Sequence, residues 1–228
     1  MMRWRVPWPS ISRGLPFGIF IGAIAIEPLL VAALPHVDPR WFYPIKLMVV
    51  VLALFLLRRH YNDFDATQPG PVQGPVQPVL AAAVGAAVFV LWIQLDQSWA
   101  TIGQSSAFDP RAPDGGLDWP LAIARLAGSS LVVPVMEELF WRSWIMRRLD
   151  RSRYWIYPPQ DVSARALVLS SLVFGLEHRL WLAGLLAGLA YGTLYRRSGN
   201  LRTPVISHAV TNLMLGVWVL ATGNWQFW

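Results

Sequence analysis

The sequence predicts an all-α fold, a polytopic bundle of about seven transmembrane helices, and three observations carry that expectation. Of the 228 residues, 55% are hydrophobic and 14% charged, where a soluble domain carries about 25% charged residues. Apolar runs recur along the whole chain, separated by short polar loops. Most of the arginines fall in or beside those loops with a strong alternation, the signature of a chain threaded back and forth through a bilayer.

The runs are 15–34, 41–57, 79–95, 119–146, 164–178, 180–195 and 203–221. Each is read as a helix, because lipid leaves no solvent for unpaired backbone and a span needs about 20 residues. The first follows the basic stretch "MMRWRVPWPSISRG" and has no small-residue cleavage site after it, so it is expected to be retained as a span and not removed as a signal peptide. The fourth is long and contains Pro134, so an eighth span results if the proline breaks it. The fifth is short, and its turn into the sixth is expected to lie within the membrane. The sixth carries Ala183, Gly184, Ala187, Gly188 and Gly192 at helical spacing, which favours close helix contact.

Residues 1–228 read as one integral-membrane domain. Its loop "TQPGPVQGPVQP" (67–78) is expected to be an extended, polyproline-like cytosolic spacer. The polar stretch 96–118 is expected outside. Alternate segments carry Arg3, Arg5 and Arg13, then Arg58 and Arg59, then Arg147, Arg148, Arg151, Arg153 and Arg165, then Arg196, Arg197 and Arg202, against single arginines (Arg40, Arg111, Arg179) in the segments between. That bias places the N-terminus in the cytoplasm and the C-terminus outside.

Mean hydropathy is +0.42 and the pI near 10.3. The net charge of +6 does not indicate nucleic acid, because the basic residues cluster between apolar segments. The absence of cysteine excludes disulfides, thiolate metal sites, a cysteine nucleophile and a lipidated cysteine. The 13 tryptophans suit interfacial belts.

All nine aspartates fall in loops or at their edges, whereas the four glutamates (Glu27, Glu137, Glu138, Glu177) fall within or at the end of apolar runs. His178 and His208 are also in apolar segments. Ionisable groups in a membrane are costly and mark function. Glu138 and Arg142 stand at i and i+4 in the favourable order for an ion pair. Glu137 lies roughly 100° round the helix and can face a different partner. His208 and Asn212 share one face of the last helix. At about 1.5 Å per residue, His208 lies ~9 Å from Arg202, Glu137 ~15 Å from Arg147 and His178 ~20 Å from Arg165, so the three can meet at one depth. Glu27 and Lys46 could pair with each other, or Lys46 could snorkel to the interface. Neither is assigned to the site. Arg125 reads as structural, Glu177 as a supporting or lumen-facing acid, and Tyr191 and Trp181 as packing or belt residues.

A carboxylate and two imidazoles in a dry cavity can hold and deprotonate a water. Glu137 suits a general base, His178 can orient the same water, and His208 with Asn212 offers donors to a developing oxyanion. Hydrolysis of a peptide bond in or near the membrane fits these groups. Glu137, His178 and His208 could instead hold zinc, since His₂Glu is a catalytic set, although no HExxH helix is present.

The motifs "EELFWR" (137–142), "FGLEH" (174–178) and "HAVTN" (208–212) resemble, in order, the EExxxR, FxxxH and HxxxN motifs of the CAAX prenyl endopeptidase and bacteriocin-processing (Abi, CPBP) family of intramembrane proteases. The resemblance covers a core of about 120–220. It implies a multi-helix bundle whose site opens toward the cytosol, with Glu137 and His178 activating water, His208 and Asn212 stabilising the oxyanion, Glu138 and Arg142 supporting, and no metal. Within the family, "FGLEHRLWLAGLLAGLAYG" and "ATGNWQFW" are similar to bacterial members associated with PEP-CTERM/exosortase sorting, which implies the bacterial cytoplasmic membrane. Ser143 departs from the glycine common after that arginine, and a slightly wider helix contact is expected. The implied substrate is a membrane-associated protein or lipidated peptide. The competing reading is a non-catalytic scaffold or immunity-type protein of the same fold. A proton-coupled transporter ranks last, because there is no inverted repeat and no matched pair of broken helices.

Overall fold

The computed structural model describes residues 7–65, 71, 74, 76–105 and 107–228. Seven helices account for the apolar runs: α1 (Trp8–Ala33), α2 (Phe42–Leu57), α3 (Val76–Gln94), α4 (Trp119–Asp150), α5 (Ala164–Leu176), α6 (Trp181–Ser198) and α7 (Arg202–Thr222). Five of them (α1, α4, α7, α3 and the stretch Pro39–His60 containing α2) are long and apolar enough to cross a membrane. The chain is a multi-pass membrane protein. Its outer surface is apolar: Leu29, Val79 and Leu131 are each about 70% exposed, as lipid-facing side chains are.

Helix α5 has 13 residues, about 20 Å, too short for the ~30 Å hydrocarbon core. The turn Glu177–Leu180 follows it directly and leads into α6. The 67–78 spacer ends earlier than expected, because α3 already begins at Val76. Most of the remainder of that spacer lies outside the described residues.

Pro134 does not break α4. Immediately before it the helix widens over Gly128–Val132, where the Val133 N–H bonds to the Gly128 carbonyl five residues back. This wider turn relieves the clash that a proline ring makes with the carbonyl four residues behind it. The helix widens again over Leu139–Met146. No eighth span arises among the described residues. Asp118 caps the start of α4 by accepting from the Leu121 N–H at 3.2 Å, and Ser163 caps α5 by accepting from Ala166 at 3.0 Å.

Helix α3 lies along α7. A Cβ on Gly85 would come within 2.3 Å of the Ser207 carbonyl, so only glycine allows the approach. Helices α5 and α6 form the second close pair, with Gly188 against the backbone of Ser171. The small-residue stripe of the sixth run serves this contact, and Ala183, Gly184, Ala187, Gly188 and Gly192 are all buried in it.

The arginine-rich end is closed by a buried ionic clasp. Asp63, 4% exposed, receives Arg13 through one oxygen and Arg147 through the other, at 2.5 Å for Arg147. Ser143 takes part: its Oγ accepts from Arg13 Nε at 2.7 Å and Arg147 Nη2 at 2.8 Å. The residue that replaces the expected glycine thus knits α1 to α4, and is fully buried. Burial by itself would raise the Asp63 carboxyl, but the two guanidiniums outweigh it and hold the pKa below the ordinary 3.8. A lowered folded-state pKa stabilises fully above the unfolded value, and that contribution is lost as pH falls through the folded one. Asp63→Asn strands two buried cations, so unfolding in detergent should show a loss of about 3–5 kcal/mol. The variant should also lose part of the wild-type chain's destabilisation below pH 4.

Candidate active site

Glu138 is buried with no exposure, and it organises the centre of the bundle. Arg142 Nε stands 3.1 Å from Glu138 Oε2, the i,i+4 pair expected from the sequence. The other carboxylate oxygen, Oε1, lies 3.0 Å from His208 Nδ1. A carboxylate oxygen accepts, so in this contact Nδ1 carries the hydrogen and His208 presents Nε2 elsewhere. That Nε2 points toward Glu137, whose Oε2 is 4.0 Å away. Arg142 completes its surroundings with aromatic faces, 4.4 Å above Phe174 and 5.8 Å from Tyr191.

Tyr191, read from the sequence as a packing or belt residue, stacks on His208 with centroids 4.9 Å apart. Its hydroxyl donates to Thr211 Oγ1 at 2.7 Å, and Thr211 in turn lies 2.8 Å from the Gly85 carbonyl. The ring of His208 is therefore fixed by a carboxylate on one edge and an aromatic face tied to α3. Nothing in the local sequence distinguished Tyr191 or Thr211, because the contacts join three separate helices.

His178 follows the short α5. Its Nδ1 is 2.8 Å from the Phe174 carbonyl, and a carbonyl only accepts, so Nδ1 donates and Nε2 keeps its lone pair in the neutral ring. Phe174 also touches His208, with centroids 6.3 Å apart, and Trp92 of α3 meets His178 edge-on at 5.3 Å. Asn212 donates from Nδ2 to the Ser129 carbonyl at 2.8 Å. This joins α7 to the widened turn of α4 and leaves its second amide hydrogen free for another acceptor.

Glu137, His178, His208 and Asn212 line one cavity of about 1380 Å³. Glu138 and Arg142 stand behind it, buried and off its surface. The cavity extends further than the sequence suggests. Glu27 and Lys46, paired at 3.5 Å, line its outer part, as do Arg125 and Glu177. Arg125 rests 4.4 Å over the Tyr43 ring. Among the described residues no group of three or more His, Asp or Glu side chains is placed to hold a metal ion.

The mouth of the cavity lies at the arginine-poor end of the bundle. The exposed residues on its wall are Ile24, Pro28, Val31, Pro39, Ile102 to Ser105, Ala107, Leu176, Glu177 and Gln226. A site open to the cytosol, as the resemblance implies, and an N-terminus in the cytoplasm, as the charges imply, are incompatible with this geometry. One of the two expectations has to yield.

Residues 119–214 match the family model described as Rce1-like, type II CAAX prenyl endopeptidase. The matched segment is similar to that family. It contains all three motifs, from Glu137 to Asn212, and makes up a little over two-fifths of the chain. The match reaches the CAAX-type protease family and not the narrower PEP-CTERM/exosortase-associated group. No curated protein and no solved structure matches the chain.

A Cβ added to Gly184 would lie 3.0 Å from the Gly175 Cα and 3.3 Å from His178 Nδ1. Gly184→Ala should therefore separate α5 from α6 and displace His178. A loss of about 1–3 kcal/mol is expected. Thermal unfolding in detergent checks this, with Gly22→Ala, where nothing lies within 4 Å, as the neutral control.

Proposed function

We propose that the chain is an intramembrane endopeptidase that hydrolyses a peptide bond of a membrane-associated protein or peptide, in the bacterial cytoplasmic membrane and without a metal. The observation that carries this reading is the convergence of Glu137, His178, His208 and Asn212 on one cavity, backed by a buried Arg142–Glu138 pair. The match of residues 119–214 to a protease family model supports the reaction class.

In the proposed reaction a water sits between the Glu137 carboxylate and the His178 Nε2 lone pair. Glu137 takes one of its protons as the oxygen bonds to the scissile carbonyl carbon. The carbonyl π electrons move to oxygen, and the free amide hydrogen of Asn212 and a His208 N–H stabilise the oxyanion. For His208 this requires a hydrogen on Nε2, the ring nitrogen that faces Glu137. Collapse of the tetrahedral intermediate breaks the C–N bond. The proton held by Glu137 passes to the departing nitrogen, giving a free amine and a carboxylic acid.

Phe174 and Trp92 exclude bulk solvent around His178, which strengthens each electrostatic contact in the cavity. The substrate class proposed is a membrane-anchored or lipidated polypeptide, because the wall of the cavity joins the polar site to lipid-facing side chains of α1.

The test uses purified protein in liposomes with a mixed library of lipidated and unlipidated membrane peptides, new termini being read by mass spectrometry. Glu137→Gln and His178→Ala should each lower turnover by about 10²–10⁴-fold, and Asn212→Ala by about 10²–10³-fold. A chelator should leave the wild type unchanged. Identical blanks from wild type and Glu137→Gln would favour the scaffold reading, and chelator-sensitive cleavage would overturn the metal-free one.

A further inference from the structure

The charge pattern and the shape of the cavity bear on which side of the membrane supplies the substrate. Every described segment at the arginine-rich end (58–65, 147–165 and 196–202) is absent from the cavity wall. Two buried layers lie between that end and the site. One is the clasp of Asp63 with Arg13, Arg147 and Ser143. The other is an apolar layer of Leu139, Met146, Tyr195 and Leu201, none more than 1% exposed.

The opposite end is open. The rim there is built from the 96–118 stretch and the C-terminal residues, which brace one another: the Phe108 N–H donates to the Trp228 carbonyl at 3.1 Å, and Ser105 Oγ to the Gln226 carbonyl at 2.9 Å. The Ile102 N–H bonds to the Arg179 carbonyl at 2.8 Å, which ties the rim to the turn that carries His178. From rim to floor the wall changes from exposed Gln104 to buried Tyr191, Thr211 and His208.

Among the described residues eleven arginines stand in the segments of the closed end and three in those of the open end, since Arg13, Arg58, Arg59, Arg147, Arg148, Arg151, Arg153, Arg165, Arg196, Arg197 and Arg202 face Arg40, Arg111 and Arg179. Arginine in short loops is retained on the cytoplasmic side during insertion. We infer that the cavity opens away from the cytoplasm, and that the substrate is a membrane-associated polypeptide whose scissile bond lies on the extracytoplasmic side. The inference rests on the protease reading for its substrate and on the charge asymmetry for its direction. It reverses the cytosolic opening that the family resemblance implies. The water consumed in hydrolysis then also comes from outside, and the clasp at Asp63 serves as the seal on the cytoplasmic side.

The natural absence of cysteine makes the direction measurable. Gln104→Cys places a thiol on the exposed rim, and Ser152→Cys places one in the exposed loop between α4 and α5. Intact cells are treated with a membrane-impermeant maleimide before and after permeabilisation. Labelling of Gln104→Cys in intact cells, and of Ser152→Cys only after permeabilisation, is the expected result. The reverse pattern overturns the inference whatever the enzyme does. A second arm presents a lipid-anchored reporter peptide to oriented vesicles from one leaflet at a time. Cleavage from the extracytoplasmic leaflet alone, slowed when Gln104→Cys carries the maleimide, supports the inference. Cleavage from the cytoplasmic leaflet alone overturns it and leaves the protease reading intact. Absence of cleavage from either leaflet, with the expected labelling, removes the protease reading and keeps the outward opening.

Discussion

A carboxylate with no contact to solvent, Glu138, stands between a guanidinium and an imidazole, and the central architecture depends on keeping it there. An isolated charge in this environment would be several kcal/mol too costly. Arg142 supplies the compensating charge and in turn needs the faces of Phe174 and Tyr191. His208 takes the remaining oxygen and thereby acquires a fixed orientation. Four helices, α4 to α7, are committed to one polar cluster. The bundle's tolerance for close backbone approach at Gly175, Gly184 and Gly188 follows from the same need, since α5 and α6 must come together to bring Phe174 and Tyr191 around Arg142.

The polar chemistry of the chain is separated into two layers with different purposes. The clasp around Asp63 is fully matched: each carboxylate oxygen meets a guanidinium and Ser143 bridges the two arginines. The inner cluster is matched only in part. Glu137 Oε2 has no hydrogen-bond partner and His208 Nε2 is 4.0 Å away, beyond a direct bond. A fully satisfied network favours rigidity, whereas an incompletely satisfied one facing a cavity leaves capacity for water or substrate.

The fold was largely legible in the sequence, because lipid leaves so few alternatives that apolar length and arginine alternation define the helices. The behaviour of Pro134 was not, because the relief comes from a wider turn at Gly128–Val132 that no local residue pattern announces. In the site, Glu138 with Arg142 followed from i,i+4 spacing, and the four cavity residues followed from three motifs. The partner of Glu138 across the bundle, the stacking of Tyr191 and the bond from Asn212 to Ser129 are contacts between distant segments, and one sequence carries no record of them. Glu27 and Lys46 were recognised as lone charges that could pair, but their position on the cavity wall required the fold.

The two widened stretches of α4 flank Val133–Glu138, the turn that holds both acids. Each is a place where the helix contains more residues per turn than ordinary coiling uses. Such a segment takes up slack: removing one residue there lets the backbone close as a regular α-helix, with its hydrogen bonds intact and the stretches on either side in nearly the same angular relation. Elsewhere in α4 a missing residue has no such outlet, and everything beyond it turns by about 100°. In this helix a one-residue deletion outside the widened turns would preserve the span and scramble the site, a lesion that hydropathy alone would never register.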